Sequence, residues 1–121
     1  MFGKRRAKTI QFDNEPKRGA SLTAFDRIQH VAVTSSNQEQ LLGICDTIIS
    51  GRAVLASFDK LSANEANYML SFISGVVYAL GGENFKMDNK LFLFGRKEVF
   101  DDGSLYQYVE ENKAWFYQKF F

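Results

Sequence analysis

The chain has 121 residues, which is enough for one domain with a modest core and too few for two. Hydrophobic residues make up 45% of it and charged residues 24%, a balance that excludes wholesale disorder. No run approaches the roughly 20 apolar residues that a membrane-spanning helix needs, and no signal-peptide pattern opens the sequence. Cys45 is the single cysteine, so an intrachain disulfide is excluded and a cytoplasmic location is the default.

The net charge of +1 conceals an uneven distribution. Residues 1–18 carry six basic and two acidic side chains, whereas the remaining chain carries nine basic and 12 acidic ones. Residues 1–24 also contain the single proline and lack a sustained hydrophobic period, so we predict a flexible basic leader at 1–24 and one domain at 25–121. An anionic membrane surface is the partner expected for the leader, through Phe2, Lys4, Arg5, Arg6 and Lys8. A leader that only confers solubility is the alternative.

The first part of the domain has the pattern of a strand, a helix and a second strand. Residues 28–34 (IQHVAVT) are β-branched and apolar, as in a strand. Ser36 and Glu39 have the spacing of a capping box, and apolar residues then recur at helical spacing until Gly51. Residues 53–58 (AVLASF) fit a buried strand. Short links between these elements predict a parallel βαβ unit.

A long helix and a hairpin follow. Ser62 and Glu65 form a second capping box, and Gly81 and Gly82 end the helix that it opens. Residues 84–87 and 90–94 are predicted to form the two strands of a hairpin, with Asp88-Asn89 as its turn.

The strand at the end of this hairpin is apolar on both sides. Leu91, Phe92, Leu93 and Phe94 point alternately to opposite faces, so both faces should be buried. Two helices can cover one face, and we expect a second subunit on the other. Residues 98–101 are expected to add a strand, and residues 104–121 to form a C-terminal helix with an aromatic end. The predicted fold class is α/β (α+β-like), with a small mixed sheet.

The long helix is apolar on two opposite sides. Its core stripe consists of Ala66, Met69, Leu70, Ile73, Val76, Val77 and Leu80. The opposite side carries Tyr68, Phe72, Gly75 and Ala79, where an ordinary surface helix carries charges. A glycine inside a helix costs about 1 kcal/mol relative to alanine, and the small residues Gly75 and Ala79 allow another backbone to approach. Either the first helix or the C-terminal tail packs there, or a second copy of the chain does. We take these four residues as the candidate self-association site.

Residues with catalytic or metal-binding chemistry are few. His30 is the single histidine and lies in a predicted strand, where a structural role is the usual one. Cys45 belongs to the apolar stripe of the first helix and should be an inert core thiol. No spacing of histidines and cysteines suits a metal, and no glycine-rich phosphate loop is present. The sequence therefore predicts no catalytic residues, no metal and no cofactor.

From about His30 to Glu111 the sequence resembles the SepF family of bacterial and archaeal division proteins. The most specific segment is residues 72–82 (FISGVVYALGG), which is similar to the family signature FLSG-x-VYA-[IL]-[DG]-G. Residues 51–55 and 59–61 match the family's R-x-VVVNL region in outline, and residues 91–94 (LFLF) match its IFL strand.

The resemblance implies a dimerising α/β domain that binds the C-terminal tail of FtsZ. It places that binding at Ala66 and Phe92 and associates Gly75 with self-assembly. The candidate set for the FtsZ tail is Ala66, Met69, Phe92 and Phe94. The function implied is a non-catalytic adaptor that oligomerises and tethers FtsZ filaments to the inner face of the cell membrane during septum formation. The alternative is a dimeric regulatory domain that binds a small ligand. Nucleic acid is not expected, because a basic domain face is lacking.

Overall fold

The computed structural model describes residues 27–121, and the predicted leader lies outside them. Four strands form one mixed sheet in the order β1-β2-β4-β3, in which β1 and β2 are parallel and the other neighbours antiparallel. The elements are β1 (Ile28–Ala32), α1 (Gln38–Ile49), β2 (Ala53–Ser57), α2 (Ala63–Ala79), β3 (Glu83–Asp88), β4 (Leu91–Gly95), a 3-10 helix (Lys97–Phe100), α3 (Ser104–Glu111) and α4 (Lys113–Phe120). The predicted fold class is confirmed.

The βαβ unit forms as predicted, but its helix begins one residue later than the proposed capping box. Asn37 is the N-cap, and its side-chain oxygen accepts a hydrogen bond of 2.8 Å from the backbone of Gln40. The Ser36–Glu39 capping box is therefore wrong. Ser36 instead donates to Glu65 at 3.3 Å, which ties the start of α1 to the start of α2.

Both predicted ends of α2 are confirmed. Ser62 and Glu65 exchange side-chain to backbone hydrogen bonds of 3.2 Å in each direction. The Ser62 amide and hydroxyl both donate to the Glu65 carboxylate, and these two bonds hold its pKa below the usual value. At the other end Gly81 has a φ of 69°, which favours glycine. The amide of Gly82 then bonds the carbonyl of Val77 at 2.8 Å, as in a Schellman motif.

The two faces of the sheet carry separate cores. Phe92 and Phe94 pack with the residues beneath α1 and α2, while Leu91 and Leu93 pack on the opposite face. Cys45 lies in the first core, and burial raises the pKa of its thiol, as expected for an unreactive core cysteine. The prediction that both faces of β4 are buried is confirmed.

The structure differs from expectation in what covers the second face. Helices α3 and α4 of the same chain pack there, where a second subunit was expected; they contribute Leu105, Tyr108, Val109 and Phe116. The predicted C-terminal helix is broken at Asn112, which has a φ of −125° and donates from its side chain to the carbonyl of Tyr108 at 2.8 Å. Such a local bond competes with continuation of the helix. The strand predicted at 98–101 is wrong, because a 3-10 helix occupies this segment.

Candidate partner-binding site

Helix α2 lies over the β3 side of the sheet. The side-chain amide of Asn84 on β3 donates to the hydroxyl of Ser74 at 2.8 Å. Leu70 precedes Ser74 by one helical turn, and Lys86 follows Asn84 by two residues on the same face of β3. Because α2 and β3 run in opposite directions here, Leu70 and Lys86 lie on the same side of the Ser74–Asn84 contact.

Phe92 lies next to Lys86 on the adjoining strand, since the two residues are paired across β3 and β4. The Phe92 ring stacks on Phe94 with centroids 6.2 Å apart and meets the edge of Phe58 at 5.8 Å. Phe92 and Leu70 are partly buried, whereas Lys86 is exposed. We call the patch formed by Ala66, Leu70, Lys86 and Phe92 the α2–β4 surface. It combines apolar side chains with one cation, a composition suited to a peptide.

The four residues predicted to bind the FtsZ tail lie in one core cluster but at different depths. Ala66 retains 7% of its exposure, and Met69 and Phe94 retain 0%. In this structure Met69 and Phe94 reach no solvent, so they can act only by supporting Phe92 and Ala66 from beneath. Phe92 presents the most surface of the four.

The second predicted site lies on the outer side of α2. Tyr68 and Phe72 are 54% and 43% exposed, and Gly75 and Ala79 are exposed as well. A Cβ added at Gly75 would meet no atom within 4 Å in the described part of the chain. Neither α1 nor the C-terminal helices therefore cover this position, and the intrachain alternative for Gly75 is wrong.

Two residues of the α2–β4 surface were not predicted. Leu70 belongs to the core stripe by helical spacing, and its position at the edge of that stripe is the signal that could have marked it. The position of Lys86 opposite Phe92 depends on the register of the hairpin. A register irregularity between Lys86 and Asp88 shifts the pairing, and the two-residue turn is Asn89-Lys90 rather than Asp88-Asn89. The residue opposite Phe92 could not be derived from turn position alone.

The residues predicted to contact a membrane lie outside the part of the chain that the structure describes: Phe2, Lys4, Arg5, Arg6 and Lys8. Within residues 27–121 no group of three or more metal-ligating side chains occurs, and none of the helices there has the length and hydropathy to cross a bilayer.

An open depression of about 690 Å³ lies between the hairpin turn and α4, lined by Asp88, Lys113, Ala114, Tyr117 and Gln118. None of these lining residues is a predicted site residue, so the small-ligand alternative stays a prediction.

Comparison with known proteins agrees with the resemblance seen in the sequence. The family model described as "Cell division protein SepF" matches residues 31–99. A SepF from Caldanaerobacter subterraneus is 31% identical over 84 residues, covering 69% of this chain and 62% of that protein. One from Lactobacillus johnsonii is 27% identical over 107 residues, covering 88% of this chain and 69% of that protein.

A solved SepF-like protein from Pyrococcus furiosus has a TM-score of 0.46 and 17% identity, covering 59% of this chain and 89% of that one. The chain spans about three-fifths of the length of the first curated relatives that it matches. The family model alone covers more than half of the chain, including β4 and the whole of α2. The chain therefore belongs to the SepF family of cell division proteins.

Proposed function

We propose that this protein is a cell-division adaptor that binds the C-terminal tail of FtsZ at the α2–β4 surface. Membership in a family of division proteins supports the process, and that family is not one of enzymes. The main observation that supports this site is the partly buried ring of Phe92, which packs against Phe58 and Phe94. The exposed ammonium of Lys86 lies beside this ring.

The chemistry of this surface suits a short peptide better than a folded partner. A ring fixed by neighbouring aromatic side chains loses little conformational entropy when a partner covers it. A lysine at the rim can attract a carboxylate and set the orientation of the peptide. The surface therefore favours a peptide that offers an apolar side chain next to an acidic group.

Self-association is the second part of the proposal. Gly75 has no packing role within the described chain, yet a glycine inside a helix costs about 1 kcal/mol. A close approach by a second copy at Tyr68, Phe72, Gly75 and Ala79 accounts for that cost. Assembly would multiply the weak contacts of each tail with a filament.

Membrane tethering is the third part and depends on the leader. Four bases and Phe2 in the first eight residues would attract an anionic surface at the inner face of the membrane. Co-sedimentation with anionic vesicles should be lost when residues 1–18 are removed. Equal sedimentation of both chains would remove the leader from the proposal.

The main test is calorimetric titration of the full chain with a peptide from the C-terminus of FtsZ. We expect binding in the micromolar range. The absence of binding heat at several temperatures, with the fold intact, would contradict the adaptor function.

A further inference from the structure

The single histidine and the last helix meet at the edge of the sheet. His30 lies on β1, partly buried and paired with Leu55 on β2. Its ring stacks on Phe120, with centroids 4.1 Å apart and planes inclined by 13°, and its centroid lies 5.0 Å from that of Phe116. The last turn of α4 thus rests on an imidazole.

Helix α4 is anchored differently at its two ends. At the start, Lys113 donates to the carbonyl of Met87 at 3.0 Å and lies 3.3 Å from the carboxylate of Glu110. Towards the end of the helix the contacts are between aromatic rings. The ring centroid of Trp115 lies 5.4 Å from that of Phe116 and 5.6 Å from that of Phe120. A helix of two turns is not stable by itself in water. Docking of its second half therefore depends on these ring contacts, that with His30 among them.

The surroundings of His30 disfavour a charged ring. Burial is the main cause and the nearby Arg52 the second, and together they lower the pKa of His30 to about 4. Strand β2 has no titratable residue. The titratable groups on the other elements packed around this contact are Arg27 before β1, Tyr106, Tyr108, Glu110 and Glu111 on α3, and Lys113, Tyr117 and Lys119 on α4. Glu110 is paired with Lys113. The charge of Arg52, which precedes β2, lowers the pKa of His30 and so opposes its protonation.

We propose that α4 is a latch that is closed on the neutral ring of His30 and opens when that ring takes up a proton. With α4 open, His30 is in water and titrates near its ordinary pKa of 6.5. Protons then bind the open form between about pH 6.5 and 4 but not the closed form. The equilibrium constant for closing falls about 10-fold per pH unit in this range, and about 300-fold in all. Above pH 6.5 it does not change. Opening removes Phe116 from the core that it shares with the apolar sheet residues Ile28 and Leu55.

The sequence makes this proposal directly testable, because the chain has one histidine, one tryptophan and one cysteine. The imidazole signals in a proton NMR spectrum can come only from His30, and the tryptophan fluorescence only from Trp115. Both therefore report on the contact between His30 and α4 in the full chain, and no resonance assignment is needed. Cys45 lies in the core on the opposite face of the sheet. A thiol reagent active in acid, 4,4′-dithiodipyridine, therefore detects opening of the other core.

We expect Trp115 emission to shift to longer wavelength between pH 6.5 and 4 while Cys45 stays unreactive. His30→Phe keeps a ring for stacking and should remove the transition in this range. His30→Gln weakens the stack, so it should leave α4 more open at neutral pH but without dependence on pH. The proposal is overturned if His30→Phe shows the same transition, or if the imidazole titrates near 6.5 with no change in Trp115. Reaction of Cys45 at the same midpoint would also overturn it, because the whole domain would then unfold.

Discussion

Lys86 and Phe92 are paired across the β3–β4 hairpin, on the side of the sheet that α2 covers. The pairing places an exposed ammonium next to a ring that is only partly buried. On its other side the ring is held by Phe58 and Phe94. A fixed apolar contact and a charge are thus presented together, which is the arrangement that the proposed peptide contact requires.

The capping box of α2 should contribute measurably to stability. Ser62→Ala removes the hydroxyl that accepts from the Glu65 amide, and we expect it to lower the free energy of unfolding by about 1 kcal/mol at pH 7. Urea denaturation measures this. Ser71→Ala, at an exposed position inside the same helix, is the matched control and should cause no loss. Equal effects of the two substitutions would contradict a role for the cap.

The same cap should respond to acid. The folded state lowers the pKa of Glu65, so its contribution is complete above the ordinary pKa of 4.5 and is lost as the pH falls through the lower, folded value. Glu65→Gln removes the ionisable carboxyl but keeps an acceptor for the Ser62 amide, so the difference in unfolding free energy between wild type and Glu65→Gln should shrink below pH 4.5. A difference that is constant from pH 7 to pH 3 would show that the carboxylate is not involved.

The close contact between Gly82 and Gly95 should tolerate no side chain. A Cβ at Gly82 would collide with the carbonyl oxygen of Gly95 and lie 3.2 Å from the Cα of Arg96, and these backbone atoms cannot move aside without separating β3 from β4. Gly82→Ala should destabilise the fold by about 1–3 kcal/mol. Gly43→Ala is the matched control: a Cβ there meets nothing within 4 Å, so the change should stabilise α1 by up to about 1 kcal/mol. Similar melting temperatures for the two variants would contradict the predicted collision.

Substitutions at Gly75 should affect the stability of a single chain and its assembly in different ways. Gly75→Ala adds a Cβ in open space and should raise the free energy of unfolding of the monomer by up to about 1 kcal/mol. Gly75→Lys should leave the fold intact but reduce the size of assemblies in light scattering, because a long charged side chain blocks a close helix contact. Unchanged assembly in Gly75→Lys would count against self-association through this face.

Local patterns predicted much of the fold. The apolar runs of β1 and β2 and the helical spacing of α1 gave the parallel unit, and Ser62 with Glu65 fixed the start of α2. The predicted start of α1 was wrong by one residue. Asn37 is as good an N-cap as Ser36, so residue preference alone cannot decide which of the two caps the helix.

What covers the second face of the sheet was harder to predict. The burial of Leu91 and Leu93 follows from alternation, but alternation does not say whether the covering residues belong to the same chain. A continuous helix over 104–121 would not have folded back. The break at Asn112, whose side chain donates to the carbonyl of Tyr108, turns α4 onto the sheet.

The candidate site shows the same limit. Helical spacing placed Ala66 and Met69 on the core stripe of α2 but could not rank their exposure. Only the packing of α2 over β3 reveals that Leu70 and Lys86 lie at the rim while Met69 is fully buried.

The most direct test of the proposed site compares three variants in titrations with the FtsZ C-terminal peptide. Phe92→Ala removes the ring and should weaken binding more than about 10-fold, and Lys86→Glu reverses the rim charge and should weaken it about 3- to 10-fold. Tyr68→Ala, on the other side of α2, should bind like the wild type. Circular dichroism confirms that each variant is folded. Binding that is unchanged in Phe92→Ala and Lys86→Glu, or lost in Tyr68→Ala alone, would contradict a peptide site at the α2–β4 surface.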